Sequence, residues 1–272
     1  MSDNSAEVER WKKEAEFFDH EAEAARERLG PVHPLTIERY GTLKRRRFSK
    51  EFRFRVLGDL TGKNVLDVGC GDGENAMNFA KLGAIVTGLD ISPKAIELAT
   101  RRAEVNDVSG TTTFICSPLE TAQFTPGSFD VIWGDAVLHH LIADLDTVMT
   151  HLMEWLKPGG IIMFGEPVSL SSALRKFRMM LPIKTDATPD ERPLERGEFE
   201  IIERHVPDLT IRYYSILERF NRYVLVDENY ELSSAFRRAI QNLLNAIDYA
   251  VLSIPPLHWL AGTAVMYGHK GR

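Results

Sequence analysis

The chain has 272 residues, 33 Lys+Arg against 39 Asp+Glu and a formal net charge of −6. That length can hold one α/β domain with elaborations, and the acidic balance argues against a nucleic-acid partner, which calls for a dominant basic stripe. Two cysteines, Cys70 and Cys116, are too few and too awkwardly placed for a disulfide scaffold and point to a reducing cytoplasm.

In chain order, residues 1–60 read as helical, with Trp11, Phe17, Phe18 and Tyr40 as apolar anchors and with Pro31 and Pro34 separating two helices. We take this stretch as an N-terminal helical cap on a main domain of residues 61–272. The run Lys44-Arg45-Arg46-Arg47 reads as a solvated helix face. Short apolar runs then alternate with helical patterns, at about 63–68, 84–89, 111–116, 129–134 and 160–165. Such alternation demands a parallel sheet with helices on both faces. After Glu166-Pro167 the rhythm breaks, and residues 168–197 read as a lid-like insertion. A helix (197–206), a strand (208–218), a long helix (233–254) and a last strand (261–269) complete the chain. Residues 249–268 carry no Asp, Glu, Lys or Arg, but Pro255-Pro256 breaks the run, so we read no membrane span there and leave room only for peripheral contact.

The most informative stretch is Val65-Leu66-Asp67-Val68-Gly69-Cys70-Gly71-Asp72-Gly73. A strand ends at three glycines spaced one apart and a helix begins, so the backbone can press against a ligand. Asp90 ends the next apolar run and is placed to accept hydrogen bonds from ribose hydroxyls. A nucleoside-containing cofactor is implied. Asp67 at the strand end would repel a pyrophosphate and suits a cationic ammonium.

These residues resemble motif I of the class I S-adenosylmethionine-dependent methyltransferases. Leu89-Asp90-Ile91-Ser92 looks like their ribose-binding turn, Ser128-Phe129-Asp130-Val131-Ile132 like the start of their fourth strand, and Leu156-Lys157-Pro158-Gly159-Gly160 like the turn before their fifth. The resemblance covers residues 60–168. It implies a Rossmann-like seven-stranded mixed α/β sheet whose last strand is antiparallel, and S-adenosyl-L-methionine as cofactor. By position it implies that Gly69, Cys70 and Gly71 hold the amino-acid part, that Asp67 orients the ammonium, that Asp90 takes the ribose and that Ile91 packs on the adenine. Many relatives carry an acid after the third strand; here Pro118 stands in its place, leaving Leu119 to offer a backbone N–H and Ser117 or Glu120 a side chain. Gly134 and Asp135 complete the expected cofactor contacts.

Acceptors bind outside the carboxyl ends of parallel strands, which brings forward Gly134-Asp135-Ala136-Val137-Leu138-His139-His140 and Gly165-Glu166-Pro167. Histidine suits proton removal near neutral pH. We expect His139 or His140 as base, with a slight preference for His140, and Glu166 or Asp135 as orienter. Adjacent histidines lack the i,i+4 spacing of a metal helix, so no metal is expected. Phe17, Phe18 and Tyr40 are candidates to cover the cofactor; Phe177, Met179, Met180, Tyr213, Tyr214, Phe220 and Tyr223 are candidates for an apolar acceptor pocket. The expected function is methylation of oxygen or carbon on a small apolar or aromatic molecule, by a monomer or homodimer. The alternatives are a cofactor-binding module without turnover, or a non-methylating reaction such as a cyclisation, because fold does not fix reaction.

Overall fold

A computed structural model describes residues 3–42, 48–171, 174, 192–226 and 229–271. The basic run at 44–47 and Phe177, Met179 and Met180 of the expected insertion lie outside the described residues. Seven strands form one sheet: β1 (Asn64–Val68), β2 (Ile85–Asp90), β3 (Thr112–Cys116), β4 (Phe129–Asp135), β5 (Leu156–Pro167), β6 (Thr210–Tyr214) and β7 (Thr263–His269). Their order across the sheet is β3-β2-β1-β4-β5-β7-β6. The first five are parallel and β7 runs antiparallel to both β5 and β6. The order reverses between β1 and β4, which opens a crevice at the carboxyl edge. Because β6 runs in the same direction as β5, the segment after β6 and the entry to β7 lie at this edge too.

Among the described residues the main helices are α1 (Asp3–Ala25), α2 (Pro34–Gly41), α3 (Ser49–Leu57), α4 (Glu74–Lys81), α5 (Pro93–Val105), α6 (Leu145–Trp155), α7 (Arg196–His205) and α8 (Ala235–Val251), with a single turn at Asn221–Val224. The parallel strands are covered on both faces, and Val65, Leu66, Val68, Val131 and Ile132 are inaccessible. On one face Phe54 of α3 packs with Phe79 and Trp133, at ring separations of 5.1 and 5.5 Å. So α3 is built into the core layer instead of lying over it as part of a separate cap.

Three boundaries differ from expectation. β5 spans Leu156–Pro167, because Leu156 already pairs with Phe129 and the register shifts before Val131 meets Ile161; at the far end Pro167 still faces Thr263. β6 stops at Tyr214, where Ser215 takes a left-handed φ of 68°. The long helix covers Ala235–Val251, with Ser234 capping it through the Arg237 N–H.

Candidate active site

The turn after β1 carries the first elements of the site. Gly69 has φ 64° and Gly71 φ 51°, conformations that side chains disfavour. A Cβ on Gly69 would lie 2.7 Å from Val137, whereas one on Gly71 would meet open space. The Gly71 N–H donates to Asp90 Oδ2 (2.8 Å) and the Ser92 N–H to Oδ1 (2.9 Å), so the β2 tip is tied to the turn. Ser92 also caps α5 through the Ala95 N–H, with Pro93 at the first helical position. Burial pushes the Asp90 carboxyl up, partly offset by these N–H donors.

Beside the turn lies a cavity of about 190 Å³. Gly69, Gly71, Asp90, Ile91, Pro118, Leu119, Asp135 and His140 line it, together with Phe18 and Glu14 of α1. Cys70, Gly134, Asp67, His139 and Glu166 are not on its wall. The Cys70 thiol is buried against Gly88. At Gly134 a Cβ would strike the Phe164 ring, so that glycine serves close packing of β4 on β5.

Asp67 is buried, and neither carboxylate oxygen has a hydrogen-bond partner. Burial, reinforced by the charge of Asp135, holds its carboxyl well above the usual range. A buried polar group without a partner is costly, and a cationic group arriving beside the glycine turn would relieve that cost. Asp135 is the opposite case. Arg53 Nη2 donates to it at 2.7 Å, Asn75 Nδ2 at 3.3 Å, and Lys50 Nζ lies 3.5 Å away. Burial works against ionisation there, but Arg53 and Lys50 outweigh it and the carboxyl sits below its ordinary value.

The two histidines part company. His139 Nδ1 lies 3.0 Å from Glu166 Oε2, while Glu166 Oε1 accepts the N–H groups of Val137 and Leu138, both at 2.9 Å. Glu166 has no exposed surface. It therefore fastens the loop after β4 to the end of β5, and it orients His139, not His140. Ala136, with φ 59° and its N–H on the Gly165 carbonyl at 2.7 Å, completes the fastening. His140 is turned into the cavity, 5.2 Å edge-on from Phe18 and 3.8 Å from Glu14.

Helix α1 lies across the mouth. Arg10 bridges Glu120 (2.9 Å) and Asp144 (2.6 Å), Trp11 Nε1 donates to Glu120 (3.0 Å), and Asp19 accepts from Ser92 Oγ (2.6 Å). Glu120 is thereby engaged by α1 while still lining the cavity. Tyr40 does not cover the site; it stacks on Phe54 at 4.4 Å in the core. Tyr213 packs on His258, Tyr214 is buried, and Phe220 and Tyr223 are exposed, and none of these four lines the cavity. Sequence reasoning missed Lys50 and Arg53; their i,i+3 spacing on one helix face was the available signal. Among the described residues, no group of three His, Cys, Asp or Glu is placed to hold a metal ion.

Residues 66–164 match the methyltransferase domain family. That match runs from β1 into β5 and supports a methyltransferase domain there. The chain is 40% identical over 108 residues to the mitochondrial ubiquinone biosynthesis O-methyltransferase of Schizosaccharomyces pombe, a match covering 39% of each chain. A ubiquinone biosynthesis O-methyltransferase of Cronobacter sakazakii is 29% identical over 227 residues, covering 77% of this chain and 86% of that one. For several curated relatives the chain spans only about two fifths of their length. In fold, the chain is similar to a putative sarcosine dimethylglycine methyltransferase from Galdieria sulphuraria, with TM-score 0.55 and 16% identity over 81% of this chain and 83% of that one. The residues present fit S-adenosylmethionine: an unpartnered buried carboxylate at Asp67, a glycine turn that lines the cavity at Gly69 and Gly71 and is open beside Gly71, and the Asp90 carboxylate at the next strand tip.

Proposed function

We propose that this protein transfers a methyl group from S-adenosylmethionine to a hydroxyl oxygen or acidic carbon of a small apolar or aromatic molecule, with His140 as general base. One observation carries the reading: His140 opens onto the same cavity as Gly69, Gly71 and Asp90. The two relatives named for O-methylation in ubiquinone biosynthesis favour oxygen as the acceptor atom.

The cofactor supplies an electrophilic methyl on a good leaving group. The protein's share is alignment and proton removal. Asp67 and the turn at 69–71 hold the amino-acid end, Asp90 the ribose, and Ile91, Pro118 and Leu119 the adenine. His140 takes the acceptor proton as the new bond forms. Glu166 and His139 act behind it as positioning residues, and Phe18 helps to keep water from the reacting centre. Helix α1 serves as the cap over this site. The free thiols of Cys70 and Cys116 fit a reducing cytoplasm.

The test is transfer of a labelled methyl group from S-adenosylmethionine into a metabolite extract, read by mass spectrometry, beside calorimetry of cofactor binding. We expect one labelled apolar product, and cofactor binding that Asp90→Ala weakens at least tenfold. Binding without labelled product would leave a non-catalytic module. Binding unchanged by Asp90→Ala would remove the cofactor assignment.

A further inference from the structure

Helix α1 carries an acid where its packing calls for an apolar side chain. Its inward stripe runs Trp11, Glu14, Ala15, Phe18 and Ala22, at the three- and four-residue steps of one helix face, while Lys12, Lys13, Glu16 and His20 are exposed. Of that stripe Glu14 alone is charged. Glu14 Oε1 lies 3.8 Å from Nδ1 of His140, and Phe18, one turn on, meets the same imidazole edge-on at 5.2 Å. The His140 and Glu14 side chains are only 12% and 17% exposed, so solvent and salt screen the pair far less than one on the surface. Both residues line the cavity.

The helix is pinned on both sides of Glu14. Before it, Arg10 bridges Glu120 and Asp144, and Trp11 donates to Glu120. After it, Asp19 accepts from Ser92 Oγ (2.6 Å) and the Lys94 N–H (3.1 Å), and Glu23 pairs with Lys94 Nζ (2.5 Å). The other acids around His140 are engaged elsewhere. On the cavity wall, Asp90 accepts the N–H groups of Gly71 and Ser92, Glu120 meets Arg10 and Trp11, and Asp135 meets Arg53 and Lys50. Asp144 is held by Arg10, and Glu166 faces His139, whose ring centre lies 4.1 Å from that of His140. Glu14 is the carboxylate turned toward His140.

We propose that Glu14 is the positioning carboxylate of His140, so that α1 contributes to the catalytic machinery and does not only cover it. Its catalytic role rests on the methyl-transfer reading with His140 as base. In that reaction the proton leaves the acceptor, whose atom keeps the electron pair, and the imidazole becomes a cation. That charge is absent at rest, so a carboxylate beside the ring stabilises the late state more than the early one. The same carboxylate favours the protonated imidazole and raises the pH at which His140 loses its proton.

The test is a histidine titration of the full chain by NMR, with the His140 signal assigned by its loss in His140→Gln. In Glu14→Gln the His140 midpoint is expected to fall by about one pH unit. Glu14→Asp, which keeps the charge, should recover part of that shift. Trypsin should cut at Lys12 and Lys13 no faster than in the parent, which shows that α1 stays docked. In turnover assays the rising limb of the pH profile should move down with the midpoint, while the plateau rate falls about tenfold, the equivalent of one such unit. An unchanged midpoint would overturn the proposal, and so would a lowered midpoint that comes with faster cleavage at Lys12. The titration needs no turnover. A lowered midpoint in a chain that transfers no methyl group therefore upholds the pairing of Glu14 with His140 and overturns the methyl-transfer reading, and with it the catalytic role.

Discussion

The ends of β1 and β5 each carry a buried carboxylate, and the two are treated in opposite ways. Asp67 has no partner for either oxygen, whereas Glu166 accepts two backbone N–H groups and faces His139. A carboxylate left unsatisfied inside a fold is costly and calls for an explanation, which the proposed cofactor's ammonium would supply. One satisfied on every side is scaffolding. Under the function proposed above, the contrast divides the site into a half that would receive the cofactor and a half that is already assembled and would present His140.

The largest effect should come from the assembled half. His140→Gln is expected to lower methyl transfer by about 10²–10⁴-fold, the range for loss of a general base, with cofactor affinity unchanged in calorimetry. A parallel loss of affinity would merge the two halves and break the comparison. Next, Glu166→Ala strands the Val137 and Leu138 N–H groups in the interior. It should cost about 3 kcal/mol of stability, read as a lower midpoint in denaturant, with turnover falling as the loop loosens. A midpoint unchanged from the parent would mean that Glu166 does not hold this loop.

Asp67→Asn should do the reverse to stability. The folded-state carboxyl is raised by burial, so its proton is held over a pH range in which the unfolded chain has released it. Stability contributed by this group is full below the unfolded value and is lost as pH rises through the folded one. Without cofactor, the parent should therefore lose stability relative to Asp67→Asn as pH is raised from about 4. Melting curves of the two proteins at several pH values read this directly. The same substitution should weaken cofactor binding about tenfold or more, the worth of one charge-assisted contact. Equal affinity in both proteins would show that Asp67 does not meet the cofactor. The smallest effect belongs to the surface tie of the cap. Arg10→Gln breaks partly exposed ion pairs and should change stability by less than about 1 kcal/mol, while raising the cofactor off-rate if α1 governs access.

The legible parts of this protein are local ones. The strand, glycine turn and helix at 65–81 and the acid at Asp90 are written in short contiguous patterns, because a turn that needs positive φ and a strand that needs burial constrain neighbours in sequence. The pairing of histidines was less legible. His139 and His140 are chemically identical, and which of them met Glu166 depended on how the loop after β4 laid its N–H groups over a side chain on another strand. Lys50 and Arg53 were passed over because the Asp135 they neutralise lies on β4, on the far side of the β1–β2 unit in sequence. Tyr40, a candidate to cover the cofactor, illustrates a related point: an aromatic ring on a helix fits a core or a pocket equally well until its neighbours are known, and here it stacks on Phe54.

By itself the sequence determined the alternation of strands and helices, the glycine turn and the acid that suits a ribose, since each rests on backbone conformation or on burial that repeats along the chain. Only the tertiary structure decided that Asp67 stays unpartnered, that His140 and not His139 reaches the cavity, and that α1 lies across its mouth. Those outcomes depend on which groups from distant segments compete for the same buried hydrogen bonds. That competition is resolved only when the chain packs.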